Sequence, residues 1–183
     1  MWNNFIRQHQ KRQLAIELVR REMRTTPIRH LTGLSDVQIR GLYHLVHQRP
    51  ARAGRIHQAS TLCRTRALHA RLSVLAVLYR QIGGQGIMRR VSAEALIQAW
   101  DLFHELDQVW AGNPGVDGFD ISDAWVIARD LCQQRACFSI CKTCNLHFVV
   151  TEDSLVPPTC PFCANRKARW VRRKLINDDQ DLL

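Results

Sequence analysis

The feature that most constrains this chain is a set of four cysteines arranged as two close pairs. Cys141 and Cys144 form one Cys-x-x-Cys pair, and Cys160 and Cys163 form a second pair after fifteen intervening residues. Two such pairs supply four thiolates, which can close a tetrahedron around Zn²⁺. Because four protein ligands leave no open coordination position, the spacing predicts a structural zinc site and not a catalytic one.

The residues around the pairs fit a small zinc ribbon. Residues 146–150 alternate and are rich in β-branched side chains, and residues 151–154 are typical of a turn. A redox Cys-x-x-Cys motif would need a thioredoxin-like βαβ surround, which the sequence lacks. The odd total of seven cysteines favours a reducing compartment over disulfides. His147 is interpreted as a surface or hairpin histidine, and Cys132 and Cys137 as core or incidental thiols.

Charge is distributed unevenly along the chain, which has a net charge of +10. Residues 1–90 contain 17 basic and 3 acidic side chains, residues 91–140 contain 2 and 8, and residues 141–183 contain 7 and 5. A basic half attracts phosphate groups, and this attraction weakens as the salt concentration rises. The acidic middle would be repelled by nucleic acid, so we expect it to pack on a protein partner or to face solvent.

The composition predicts a cytoplasmic protein that does not associate with membranes. Hydrophobic residues make up 46% of the chain, which is enough for a core. The longest apolar run, residues 74–79, is far shorter than the roughly 20 residues needed to cross a bilayer. The first residues lack the apolar segment of a secretory signal.

Apolar residues recur at helical spacing until the cysteines begin. This periodicity predicts helices over residues 10–23, 27–32, 35–47, 60–81, 92–110 and 121–136. The predicted fold is therefore mainly α, with a helix-turn-helix, a small C-terminal four-cysteine zinc ribbon and a basic tail. The predicted division is 1–55 for a helical region with the helix-turn-helix, 56–137 for a helical core, 138–165 for the ribbon and 166–183 for the tail.

Residues 28–47 have the spacing of a helix-turn-helix. Gly33 occupies the turn, Leu34 follows it, and Ile39 and Leu42 lie where a second helix would pack on the first. A plain helical hairpin has the same spacing, but the basic surroundings favour DNA reading. The candidate DNA contacts are Ser35, Asp36, Gln38, Arg40 and His44 on the second helix, and Arg49, Arg52 and Arg55 in the linker that follows.

The segment after the last cysteine is typical of a phosphate-binding run. Its six candidate contacts are Arg166, Lys167, Arg169, Arg172, Arg173 and Lys174. An RNA-binding protein or a protein-interaction module could use the same basic surface, because phosphate attraction does not distinguish nucleic acids. An enzyme is not expected, because the sequence has no Gly-rich phosphate loop, no nucleophile elbow and no open metal site.

The order of these motifs resembles that of the FlhC family of flagellar master-regulator subunits. The resemblance is carried by residues 14–18, the turn at 32–35, residues 39–43, the linker at 50–54, the paired cysteines and the basic tail. It implies that the four cysteines are the family's zinc ligands. It further implies sequence-specific binding of double-stranded DNA and activation of transcription. The active form would be a hetero-oligomer with the smaller helical subunit FlhD that contacts RNA polymerase.

One departure concerns the genes that such an activator would control. Residues 55–62 lack the aromatic stretch that flagellar members carry after the linker. This favours the divergent FlhC-like activators of conjugative elements, which activate transfer genes with an FlhD-like partner; flagellar genes are the second choice. The acidic stretch 92–110, with Trp100 and Trp110, is a candidate partner surface, although these tryptophans are equally well explained as ordinary core.

Overall fold

The computed structural model describes residues 2–111, 119–152 and 159–166, except for the side chains of 108–111. Within these residues the chain is mainly helical and carries a small two-stranded sheet, which confirms the predicted fold class. Residues 161–166 are also helical. The elements are α1 Trp2–Arg20, α2 Thr25–Thr32, α3 Asp36–His47, α4 Ala59–Leu62, α5 Arg66–Gly83, a 3-10 helix Gly84–Met88, α6 Ala93–Ala111, α7 Ile121–Cys132, β1 Ala136–Ile140 and β2 His147–Thr151.

The turn between α2 and α3 follows local signals in the sequence. Gly33 has a φ of 70°, and its N–H donates to the Arg29 carbonyl at 2.8 Å, which ends α2. The Ser35 hydroxyl accepts from the N–H of Gln38, whose side-chain oxygen accepts from the N–H of Ser35. This capping box starts α3 where the sequence predicts a helix. The preceding helix begins two residues earlier than predicted, at Thr25.

α1 begins and ends earlier than the predicted 10–23. Beyond its last turn, Glu22 has a φ of 60° and donates its N–H to the Val19 carbonyl at 2.8 Å. The N–H of Met23 donates to the Leu18 carbonyl at 3.1 Å, completing a Schellman motif. Met23 is fully buried although it lies outside the helix. The apolar periodicity therefore continues past the true end of α1.

The predicted helix over 60–81 is two helices, α4 and α5. Thr65 caps α5 by accepting from the N–H of Leu68 at 3.2 Å. α5, α6 and α7 pack together, and one continuous core joins them to the helix pair α2–α3. Its largest fully buried side chains include Leu18, Ile28, Ile39, Tyr43, Leu72, Leu75, Tyr79, Ile87, Leu96 and Ile127.

The predicted helix over 121–136 ends at Cys132, because the chain turns through Gln134, which has a φ of 61°. Strand β1 then begins at Ala136, two residues before the predicted start of the ribbon. It pairs with β2 in antiparallel register, with Ala136 opposite Thr151. The first cysteine pair lies in the loop between the two strands.

Gly83 is expected to be intolerant of a side chain. A Cβ at this position would lie 2.3 Å from Cγ2 of Ile87, which is fully buried. Gly83→Ala should therefore lower the free energy of unfolding by about 1–3 kcal/mol through overpacking. Urea denaturation measures the effect, with Gly86→Ala as the control because a Cβ there meets nothing within 4 Å. Equal stabilities for the two variants would contradict the prediction.

Candidate metal centre and nucleic-acid interface

The structure brings together the four cysteines that the sequence predicts as ligands. Cys141 and Cys144 come from the loop after β1, and Cys160 and Cys163 come from the start of the helix at 161–166. The Sγ atoms of Cys141 and Cys163 are 3.8 Å apart, those of Cys144 and Cys160 are 3.6 Å apart, and all four lie within 4.8 Å of one another. Zn–S bonds of about 2.3 Å in a tetrahedron require sulfur–sulfur distances of about 3.8 Å. The donor set and its spacing therefore fit a tetrahedral ion such as zinc.

The backbone prepares one of these sulfurs for metal binding. The N–H groups of Cys144 and Thr143 lower the pKa of Cys141 to about 6, and the Thr143 nitrogen lies 3.4 Å from Sγ of Cys141. Contact with the Cys144 sulfur raises the pKa of Cys163 to about 12. The backbone therefore favours the thiolate of Cys141, and a cation bound at the cluster would displace the proton of Cys163.

The remaining cysteines and His147 lie outside this cluster. Cys63 is buried, and burial raises its pKa to about 12. Cys132 is half-buried and Cys137 is exposed on β1. His147 is exposed at the start of β2, opposite Ile140, so the prediction of a hairpin histidine is confirmed.

Two residues that were not predicted from the sequence hold the ribbon on α5. The His69 ring donates from Nε2 to the carbonyl of Val149 at 2.6 Å, and the Ser73 hydroxyl accepts from the N–H of Val149 at 3.1 Å. All three residues are buried. The N–H and carbonyl groups of Val149 would otherwise be buried without partners, and these two bonds satisfy both groups. The available signal was a histidine and a serine four residues apart within the apolar stripe of α5.

The predicted contacts on α3 divide into two groups. Ser35 and Gln38 bond each other in the capping box, and Asp36 lies 3.3 Å from the guanidinium of Arg29. Arg40 and His44 are exposed, and their side chains have no hydrogen-bond partner within the described part of the chain. The side chains free to reach a nucleic acid from α3 are therefore Arg40 and His44.

The predicted contacts in the linker and the tail also include both paired and unpaired side chains. Arg49 pairs with Glu22, and Arg52 lies 3.8 Å from Asp120. Arg55 is exposed, with no side-chain partner among residues 2–111, 119–152 and 159–166, and Arg166 is exposed at the end of the last described helix. The other predicted tail contacts lie outside the described residues: Lys167, Arg169, Arg172, Arg173 and Lys174.

The chain matches the model of a known protein family. The family model described as "Flagellar transcriptional activator (FlhC)" matches residues 2–175, nearly the whole chain. The chain belongs to the FlhC family. A search of curated proteins finds no match.

The acidic middle of this FlhC-family chain packs against its own basic half. The Arg21 guanidinium forms two bonds of 2.7 Å with Asp101 on α6, and Arg71 on α5 pairs with Asp107. The bond to Asp101 raises the pKa of Arg21 further above its usual range, so the Arg21 guanidinium stays charged. The expectation that the acidic middle packs on a partner or faces solvent is therefore wrong for Asp107, which is buried, whereas the side chain of Asp101 is still 45% exposed.

The tryptophans of α6 were the other reason to expect a partner surface there. Trp100 is half-buried and packs against Phe103 and Phe119, with ring centroids 6.0 and 5.9 Å away. This supports the core interpretation for Trp100, whereas the side chain of Trp110 lies outside those described. No described helix of this FlhC-family chain is long and apolar enough to cross a membrane.

Proposed function

We propose that this FlhC-family transcriptional activator binds duplex DNA sequence-specifically, as one subunit of a cytoplasmic hetero-oligomer with an FlhD-like helical partner that contacts RNA polymerase. We propose no catalytic role. The observation that carries the proposal is the outward face of α3. That face presents Arg40 and His44 on a helix whose start is capped and whose inner side is fixed by the buried Ile39 and Tyr43.

The chemistry of this face suits the major groove. Arginine recognises guanine edges, and apolar side chains contact thymine methyl groups. Val37 and Leu45 are 77% and 80% exposed on the same helix, four residues on either side of Gly41. A Cβ at Gly41 would meet nothing within 4 Å, so the helix can approach another surface closely at its midpoint. α3 therefore combines an arginine with apolar contacts, as a recognition helix requires.

The basic tail and the free arginines supply affinity that does not depend on sequence. Because Arg49 and Arg52 are paired within the chain, we assign phosphate binding to seven cations: Arg55, Arg166, Lys167, Arg169, Arg172, Arg173 and Lys174. Neutralising about seven phosphates gives a slope of about −6 in a plot of log affinity against log salt concentration.

We assign Zn²⁺ to the four-cysteine cluster, where it would hold the ribbon that carries the basic tail. Four thiolates in a tetrahedron suit zinc or iron. Metal analysis of the purified chain distinguishes them, and a colourless protein with one zinc per chain is expected. With four sulfur ligands the ion has no open position, so its role is structural.

The partner is proposed to cover the start of α1. Trp2, Phe5 and Ile6 are exposed there, and the ring of Trp2 packs only edge-on against that of Phe5, at 6.4 Å. Such exposed aromatic side chains are typical of protein interfaces. Coexpression with FlhD-like subunits, followed by mass determination of the complex, tests the partnership.

The regulated genes are proposed to be the transfer genes of a conjugative element, because residues 55–62 carry no aromatic side chain. Flagellar genes are the alternative, in keeping with the family description. Reporter assays with both classes of promoter, in cells containing the FlhD-like partner, distinguish them.

Two variants separate the roles of α3 and the tail. Arg40→Ala should change the preference between DNA sites, by about 1–3 kcal/mol at the base pair it reads. Replacing Arg172 and Arg173 by Ala should weaken binding to all sequences alike and make the salt slope shallower by about 2. Footprinting and salt titrations on duplex promoter DNA measure both effects.

Structured RNA of equal length is the control probe in these measurements. Equal affinity for RNA and duplex would favour an RNA-binding protein. An unchanged site preference in Arg40→Ala would remove α3 from the recognition surface.

A further inference from the structure

A polar cleft lies on another part of the molecule from the outward face of α3. Its volume is about 290 Å³, near the small end of the roughly 300–1,000 Å³ range of ligand pockets. The cleft therefore has room for a small polar group with some water rather than for a large cofactor. The charged and hydroxyl side chains that concern us are Arg55 from the linker, Arg129 and Asp130 from α7, Arg135 after α7, and Thr151 and Glu152 at the end of β2.

Two of the three arginines are held in place by one carboxylate. Oδ1 of Asp130 accepts from Nε of Arg129 and from Nη2 of Arg135, both at 2.8 Å. The Arg129 guanidinium also lies 5.0 Å from the ring centroid of Trp125. A guanidinium has five N–H donors, so each arginine keeps donors for another acceptor.

The charges that line the cleft leave an excess of positive charge. Asp130 neutralises one of the two guanidiniums that it orients. Glu152 is exposed, and Arg55 adds a third guanidinium that has no side-chain partner among the described residues. Three arginines therefore face two carboxylates, with two of the arginines already positioned.

Thr151 is the second, independent observation. Thr151 is one of the residues that line the cleft, and it is only 6% exposed. Within the described residues its Oγ1 has no hydrogen-bond partner. Buried hydroxyl groups are rarely left unpaired, and an unpaired one at a site of ordered arginines points to an acceptor that binds there.

We propose that this cleft binds a phosphate group, which accepts hydrogen bonds from the Thr151 hydroxyl and from the guanidiniums of Arg129 and Arg135. Phosphate oxygens match the forked donors of arginine and accept from a hydroxyl. The phosphate is supplied either by the DNA backbone or by a free phosphate compound. If the DNA backbone supplies the phosphate, the inference rests on the proposed DNA-binding function, and the cleft provides a backbone contact in addition to those of α3 and the tail.

Thr151→Val tests the proposal, because it removes the hydroxyl and keeps the shape of the side chain. Using the full-length chain, binding of inorganic phosphate is measured by equilibrium dialysis and binding of duplex DNA by fluorescence anisotropy. Thr151→Val should bind the probe that represents the true phosphate source, either duplex DNA or inorganic phosphate, about tenfold or more weakly than the unaltered chain does. Its urea midpoint should stay the same or rise, since an unpaired buried hydroxyl is removed. A threonine with only a structural role would leave both affinities unchanged.

Arg135→Gln identifies the source of the phosphate, with Arg90→Gln as the control for loss of one exposed positive charge. If the DNA backbone supplies the group, Arg135→Gln should make the salt slope for duplex binding shallower by about 0.9, and Arg90→Gln should bind as the unaltered chain does. If a free compound supplies it, inorganic phosphate should be retained by the unaltered chain and lost by Thr151→Val and Arg135→Gln.

The outcomes keep this inference separate from the proposed function. If the unaltered chain binds phosphate and not duplex DNA, the proposed function fails and the cleft stands. If it binds duplex DNA and both variants of the cleft match Arg90→Gln with both probes, the cleft proposal is overturned while the proposed function stands. Failure to bind either probe overturns both.

Discussion

Replacing Cys141 with serine should release the metal ion and unfold the ribbon while the helices remain formed. The free energy of binding a structural zinc ion is on the order of 10 kcal/mol or more, and it contributes directly to folding. Besides its attachment to α5, the ribbon has a separate cluster of buried side chains that, among the described residues, contains Cys141, Phe148 and Cys160, two of which are proposed metal ligands. Cys141 is also the thiol whose pKa the backbone N–H groups lower.

Metal content per chain, far-ultraviolet circular dichroism and amide hydrogen exchange measure this effect. Protection of the Phe148 amide should be lost in Cys141→Ser, whereas helical signal should be largely kept. Cys137→Ser is the matched control, because Cys137 is exposed on β1 and lies outside the cluster. A Cys141→Ser protein that retains one metal ion per chain with a protected ribbon would show that the cluster is not the metal site.

Replacing His69 with leucine should loosen the ribbon from α5 without removing the metal. The Val149 carbonyl would lose its partner in a buried position, and an unsatisfied buried group costs about 1–3 kcal/mol. Leucine fills a similar volume, so little of the effect should come from a cavity. The expected result is a lower free energy of unfolding and faster exchange of the Val149 amide, together with unchanged metal content.

His147→Leu provides the comparison, because this histidine is exposed at the other end of β2. It should leave the exchange of the Val149 amide unaltered. If His69→Leu behaves in the same way, the attachment of the ribbon does not depend on the bond from His69. A loss of metal in His69→Leu would instead mean that docking and metal binding cannot be separated.

The pairing of charges within the chain affects how its basic character can act on DNA. Arg21, Arg49 and Arg52 each have a carboxylate within 4 Å, so part of the basic half is paired within the chain. Of the predicted contacts on α3 and in the linker, the cations without a side-chain partner among the described residues are Arg40 and Arg55. The predicted attraction of this region for phosphate therefore rests on fewer cations than the sequence count suggests.

Features fixed by neighbouring residues were predictable from the sequence. The capping box of Ser35 and Gln38 and the left-handed Gly33 depend on a few consecutive residues, and α2 ends and α3 begins where predicted. The ends of α1 and α7, beyond which the chain turns at Glu22 and Gln134, were not predictable in the same way. Both turning residues are non-glycine residues with positive φ, and apolar residues continue beyond them.

By itself the sequence determined the helical class, the α2–α3 turn and the four cysteines that come together in one cluster, because periodicity, capping and cysteine spacing all act over short stretches of chain. Only the tertiary structure decided which charges remain free and how the ribbon is attached. Arg21 and Asp101 are 80 positions apart, as are His69 and Val149. Such pairs depend on how the helices pack, and no local pattern in the chain specifies that packing.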